Sequence, residues 1–238
     1  MTAEISLKGA VATRTAGDGS VELIEEVFAA GVDHAAALLR HSAREYNPDI
    51  HDLLNPLTDE GRELCERFGA RLDKSLTLRG YASPAGRCQE TGELILDAHR
   101  AGGGATTRCR PVEGLGVFYV LDQMKMWQAM QQAGGIRGFM RAWFDGAAPE
   151  DAVVPAGLAA KLVLRLMTGK LEKPVAKPQL DILITHDVTL HLVRDRLLGE
   201  SVEGPAVEYL DALVAFRRDG AWWLRSRHGP ARQVNPEF

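Results

Sequence analysis

No apolar run in this chain approaches the roughly 20 residues that a membrane-spanning helix needs, and no low-complexity tract or internal repeat interrupts it. Cationic excess is also missing. Lys and Arg number 28 against 32 Asp and Glu, a net charge of −4, which argues against a general nucleic-acid binder because phosphate backbones reward a strong positive surplus. The three cysteines, Cys65, Cys88 and Cys109, are odd in number and far apart, so neither a disulfide framework nor a zinc cluster is indicated. An Asp-rich metal cluster is likewise lacking. The early residues carry Glu4 and show no basic segment followed by an apolar core, which is not the pattern of a secretory leader. The expectation is a cytoplasmic protein with no membrane, nucleic-acid, metal or cofactor partner. At 238 residues, 45% hydrophobic and 25% charged, it has the composition of one globular domain spanning 1–238.

What is present is an alternation of strand-like and helix-like segments. Residues 1–18 have weak periodicity and read as a possible flexible arm. Ser20–Phe28 has helical spacing, with Ser20 available as its cap. Ala35–Leu39 is an apolar run of buried-strand type. Thr58-Asp59-Glu60 opens a helix with a hydroxyl cap and first-turn acids, and Leu64, Phe68 and Leu72 form its apolar stripe. Ser83-Pro84 reads as another helix start, and that helix runs to Gly102-Gly103-Gly104. Thr107–Val112 is a candidate strand. Residues 121–170 are mostly helical, broken at Gly134-Gly135 and Pro155, and are expected in part to be an insertion over the site. Asp181–Thr185 reads as a strand and Asp187–Leu198 as a helix. Leu213–Arg217 and Trp222–Arg227 flank Asp219-Gly220, a strong hairpin signal. The alternation implies an α/β fold: a three-layer α/β/α domain ending in a β-hairpin.

Three polar clusters follow apolar runs. Arg40-His41-Ser42, with Arg44 four residues past Arg40, follows Ala35–Leu39. Ser83-Pro84-Ala85-Gly86-Arg87 follows a second run, and Thr185-His186-Asp187 follows Ile182-Leu183-Ile184. Open α/β sheets build their sites at the carboxyl ends of their strands. Two histidines and three arginines converging there would suit a phosphate dianion, with an imidazole placed to attack it.

The ordered set Arg40-His41-Ser42-Ala43-Arg44, Leu57-Thr58-Asp59-Glu60-Gly61, Ser83-Pro84-Ala85-Gly86-Arg87-Cys88-Gln89-Glu90-Thr91 and Thr185-His186-Asp187-Val188-Thr189-Leu190 resembles the histidine phosphatase superfamily, also called phosphoglycerate mutase-like or histidine acid phosphatase. The likeness spans about Leu38 to Leu190. One departure is Ser42, which stands where the family pattern Arg-His-Gly has glycine. The resemblance implies a phosphoglycerate mutase-like sheet and a metal-independent phosphatase without cofactor, acting on a small phosphomonoester. His41 would be the nucleophile that forms a phosphohistidine, and Arg40, Arg87 and His186 would hold the phosphate. Arg44 matches the extra arginine of the acid phosphatase and phytase branch. Asp187 matches that branch's His-Asp pair, in which the aspartate protonates the leaving alcohol. The mutase branch takes its acid from a glutamate after the Ser-Pro-x-x-Arg segment, where Glu113 lies. Asp187 is favoured, because Arg44 and the His-Asp pair point to the same branch.

General chemistry supports such a set. Phosphoryl transfer needs charge neutralisation more than covalent help. Guanidinium forks match phosphate oxygens and stay charged, and nearby arginines keep a nucleophilic imidazole neutral. Simpler roles compete: Arg44 pairing with Glu45 or Asp49, Asp187 capping a helix, and Glu113 as structure or rim. Cys88 reads as inert, and Trp127, Trp143 and Phe144 as packing, though one of them could line a cleft. His34, His51, His99, His191 and His228 read as surface or satisfied core residues. A phosphomutase, or a non-catalytic phospho-ligand binder on the same fold, are the alternatives. The acidic balance weighs against very highly phosphorylated substrates, unless Arg108, Arg110, Arg137 or Arg141 reaches the site. The natural substrate and the oligomeric state are not written in the sequence.

Overall fold

A computed structural model describes residues 15–237; most of the arm expected over 1–18 falls outside them. An eight-stranded sheet carries the fold. Its strands are β1 (His34–Arg40), β2 (Thr77–Ala82), β3 (Ala105–Thr106), β4 (Arg110–Pro111), β5 (Gln179–Thr185), β6 (Ala212–Arg218), β7 (Ala221–Ser226) and β8 (Arg232–Val234). They are ordered β3-β2-β5-β1-β6-β7-β8, with β4 also pairing β2. The β1, β2 and β5 strands are mutually parallel, whereas β6, β7 and β8 run antiparallel.

The apolar runs form central strands because both of their faces are covered. Alternate residues part to opposite sides. Ala35, Ala37 and Leu39 join one core with α1 (Asp18–Ala29), α2 (Asp59–Arg71) and α3 (Gly86–Ala101). Ala36 and Leu38 join a second core with α6 (Ala156–Leu171) and α7 (Asp187–Val193). These are the three layers expected from the sequence. A third core, built on Phe139, Met140, Trp143 and Phe144, holds α4 (Gln123–Gln132) and α5 (Ile136–Phe144) to the body.

Several boundaries differ from the sequence reading, each for a local reason. The first helix begins at Asp18 because Gly17, at φ 88°, turns the chain just before it; Ser20 lies inside the helix, and its hydroxyl is buried without a partner. The third begins at Gly86 rather than at Ser83-Pro84, because the Ser83 hydroxyl is engaged with His186. The strand expected over Thr107–Val112 is only the short pairing β4, and β3 precedes that range. The Asp187–Leu198 helix changes to a π turn at Arg194. Within 121–170 only α4 and α5 cover the site: α6 lies on the sheet, with Val163 and Met167 in the second core. The hairpin is as expected. Asp219 and Gly220 both take positive φ, 52° and 78°, as a type I′ turn requires. A further strand, β8, follows it.

Register positions the site. Arg40 pairs with Thr185 and Ala82 with Ile184, so β1, β2 and β5 end side by side. The first amide beyond each end is fastened: His41 N donates to Thr185 O at 2.9 Å and Ser83 N to Ile184 O at 2.8 Å. His41, Ser83 and His186 therefore emerge together. A fully buried carboxylate, Asp181, ties the sheet nearer its opposite end; Arg79 grips it with two bonds of 2.7 Å, and His34 and Gln179 complete its shell.

Candidate active site

The pocket at these strand ends is built around Arg87 on α3, whose guanidinium is almost fully buried (3% exposed). Its Nε donates to His41 Nε2 at 3.2 Å, and Nη2 lies 3.4 Å from His186 Nδ1. Nη1 donates to the Asp52 carbonyl at 2.7 Å, and Nη2 meets the Asp52 carboxylate at 3.1 Å. The two imidazoles stand edge to face, with centroids 5.5 Å apart. All six residues expected from the sequence line one cavity: Arg40, His41, Arg44, Arg87, His186 and Asp187. Glu113 is exposed and is not part of its lining.

Hydrogen bonds set the face that His41 presents. Its Nδ1 lies 2.8 Å from the Ser42 carbonyl. A carbonyl only accepts, so Nδ1 carries the proton and Nε2 keeps its lone pair toward the pocket. Burial, the Arg87 and Arg40 guanidiniums and the neighbouring His186 push His41 down to about 3, although its bond to Ser42 works the other way. Burial, then Arg87, brings His186 down to about 4. The sequence reading credited the arginines with this neutrality; burial is the larger cause.

Ser42 fits the place of the family's glycine. It is fully buried, its hydroxyl donates to Gly61 O at 2.7 Å, and its amide donates to Thr91 Oγ1 at 3.2 Å. The site loop is thus bolted to α2 and α3. The bolt needs a glycine on the α2 side: a Cβ at Gly61 would lie 2.1 Å from Ala43 O.

Arg40 stacks over the Tyr209 ring at 4.2 Å and donates to Val207 O at 2.8 Å. Its Nη2 lies 3.4 Å from the half-exposed Asp187 carboxylate. Partial burial of Asp187 would raise its carboxyl, but Arg40 and the Val188 amide lead the effects that outweigh this and hold it below the ordinary range. Arg44 bonds Asp52 at 2.8 Å, rather than pairing with the Glu45 or Asp49 side chain. Cys88 is pushed up to about 12, chiefly by burial, which makes it the inert case.

Several lining residues, among them Asp52, His51 and Tyr119, escape the sequence reading of the site. Asp52 and His51 sit in the loop after Arg44, whose polar residues give no ligand pattern, and Tyr119 lies beyond it. Trp127 was read chiefly as packing but lines the cavity and is 53% exposed. With neutral imidazoles, the pocket sets three guanidiniums against two carboxylates. It is one cation in excess and suited to an anion.

The depressed imidazoles carry a stability signature. Below about pH 6.5 the unfolded chain takes up protons that folded His41 and His186 refuse until about pH 3 and 4. Folding stability therefore falls with pH across that window, by about 1.4 kcal/mol per unit for each imidazole. His41→Asn removes one contribution, so the loss of stability in urea between pH 6.5 and 5 is expected to shrink by about 1–2 kcal/mol. Equal losses in both proteins would show His41 free to protonate. A second expectation concerns Asp52, which occupies donors of Arg44 and Arg87. Asp52→Asn should tighten inorganic phosphate binding about 3- to 10-fold in calorimetry; unchanged or weaker binding would make Asp52 a support for the arginines rather than a competitor.

Comparison with known proteins follows this geometry. A phosphoglycerate mutase from Bacillus anthracis is 16% identical and superposes with a TM-score of 0.54 over 82% of this chain and 92% of its own. The alpha-ribazole phosphatase of Shigella flexneri is 19% identical, with a TM-score of 0.52 over 81% and 95%. A mycobacterial glucosyl-3-phosphoglycerate phosphatase is 16% identical, with a TM-score of 0.53 over 81% and 97%. These likenesses establish the phosphoglycerate mutase-like fold. No curated protein matches the sequence significantly. The family model of the histidine phosphatase superfamily (branch 1) matches residues 36–210. That match lends no separate weight to the acid phosphatase likeness of Arg44 and the His186-Asp187 pair, so Asp187 rests on its geometry. With this model covering most of its length, the chain belongs to the histidine phosphatase superfamily.

Proposed function

We propose that this protein is a metal-independent phosphomonoester hydrolase working through a phosphohistidine on His41. The observation that carries the reading is the neutral His41 ring, its Nδ1–H tied to Ser42 O and its Nε2 lone pair directed at Arg87. An incoming phosphate takes over the Arg87 N–H, which frees that lone pair. Arg40, Arg44 and Arg87 then neutralise the equatorial oxygens. Once phosphate displaces Arg87 from its Nδ1, His186 can add a donor: the Ser83 hydroxyl, 3.0 Å from Nε2, either accepts or donates, and when it donates, Nδ1 carries the ring proton.

In the first step the Nε2–phosphorus bond forms as the ester phosphorus–oxygen bond breaks, and Asp187 gives its proton to the departing alcohol. Water then attacks the phosphohistidine, Asp187 takes the water's proton, and inorganic phosphate leaves. In the free protein Asp187 is ionised beside Arg40. A bound phosphate dianion draws on the same guanidinium and repels the carboxylate, which raises its proton affinity. Substrate binding thus arms the acid. A metal has no part in these steps, because the guanidiniums carry the neutralisation.

The test is hydrolysis of an aryl phosphate with chelator present, from about pH 4 to 9. His41→Ala is expected to lose at least about three orders of magnitude in turnover while keeping its circular dichroism. Retained activity would reject the phosphohistidine. Asp187→Asn should slow alkyl phosphates by roughly 100-fold and aryl phosphates much less, since phenols leave without a proton. Equal slowing on both classes removes Asp187 as the acid.

A further inference from the structure

The phosphate-binding residues occupy only one pole of the cavity. The other pole is walled by Val117, Val120, Met124, Met126, Trp127 and Ile136. The whole space is about 670 Å³, far more than a phosphate fills. Apart from Arg40, Arg44 and Arg87, no Lys or Arg among the described residues lines it. Arg141 is instead paired with Glu203, and Arg108, Arg110 and Arg137 are not part of the lining either. A second phosphate or a carboxylate on the substrate would thus have no cation of its own to meet. A polyol would find Gln123 as the one neutral amide in the lining.

The apolar wall is also unusually bare. Trp127 is 53% exposed, Met124 63% and Ile136 46%. They stand on α4 and at the start of α5, and α4 buries none of its residues fully. The other apolar side chains of these helices are already satisfied: Ala129 and Met130 pack on the third core beside Met140 and Trp143, and Met126 and Phe139 touch both that core and the cavity. The exposed set is therefore surplus to folding. It faces the same cavity that holds His41, and its occupant must be continuous with the phosphate.

Resting on the hydrolase reading, we infer that the substrate is the phosphate monoester of a bulky apolar or ring-bearing alcohol. Trp127, Met124 and Ile136 receive the alcohol portion and determine specificity. Sugar phosphates, phosphoglycerates and polyphosphates are the classes this wall disfavours: they would bury hydroxyls or charges against it without partners, whereas an apolar group gains affinity by leaving water.

The experiment compares 2-(2-naphthyl)ethyl phosphate, ethyl phosphate and 3-phosphoglycerate. The two alkyl esters release primary alcohols of similar acidity, so binding of the alcohol portion separates them. The naphthyl ester is expected to exceed ethyl phosphate in kcat/KM by about 10- to 100-fold, with 3-phosphoglycerate last. Trp127→Ala and Met124→Ala change exposed side chains, and each should cut the naphthyl-to-ethyl ratio by about threefold or more. A ratio near one, or a ratio that neither variant moves, overturns the inference while leaving the hydrolase intact. So does a variant that leaves the ratio unchanged and converts a dimer to monomer in solution, which would make the wall an interface between copies. If no ester turns over, the hydrolase reading fails instead, and calorimetric dissociation constants of the same three esters decide the class: tighter naphthyl binding sustains it and equal binding overturns it.

Discussion

The buried guanidinium of Arg87 is the constraint on which the site depends. A cation with 3% exposure is tolerable only when its donors are occupied. Two of its occupants are imidazole nitrogens, which can accept from it only while neutral. Arg87 and both histidines thus enforce one another: the cation suppresses their protonation, and their lone pairs satisfy its N–H groups. The result is an imidazole at His41 held neutral down to about pH 3, the form that the proposed attack on phosphorus needs. The remaining charge is balanced by Asp52, a half-exposed residue on a surface loop that can yield more readily than the strand ends.

The rest of the arrangement keeps this triad in register. Parallel pairing makes β1, β2 and β5 end level, so residues more than a hundred positions apart are adjacent without a long loop reaching between them. Ser42 and Thr91 then lock the β1 exit to α2 and α3. The tight contact of Gly61 with Ala43 explains how a serine can occupy the glycine position of the family pattern. The added hydroxyl has an acceptor, and the space is supplied by the glycine opposite.

Much of this was legible because it is local. An apolar run followed by a charged residue reads as the end of a buried strand, and Ala35–Leu39 and Ile182–Ile184 are such runs. Thr58 caps its helix through a bond to the Gly61 amide at 2.9 Å, as its position before two acids implies. Asp219-Gly220 forms the turn that the pair encodes. Non-local partners were not legible. Ser83 looked like a helix cap because the histidine that claims its hydroxyl is 103 residues away. Asp52 gave no signal because its two arginines come from different elements. The sequence places only part of 121–170 over the site and does not say which part, because helical periodicity does not reveal which helix lies on the sheet and which over the site.

That last distinction bears on how the molecule divides its work. The phosphate pole is made from strand ends and the first turns of α3 and α7, elements locked into the two main cores. The apolar pole is made mainly from α4 and α5, which rest on the third core. Side chains at Met124, Trp127 and Ile136 can change without disturbing Arg87 or the strand register, because they share no core with them. A fold built this way can hold one chemistry fixed while the identity of the alcohol drifts. On the proposed reading, the acceptable range of substrates is set by the helical cover and the reaction by the sheet.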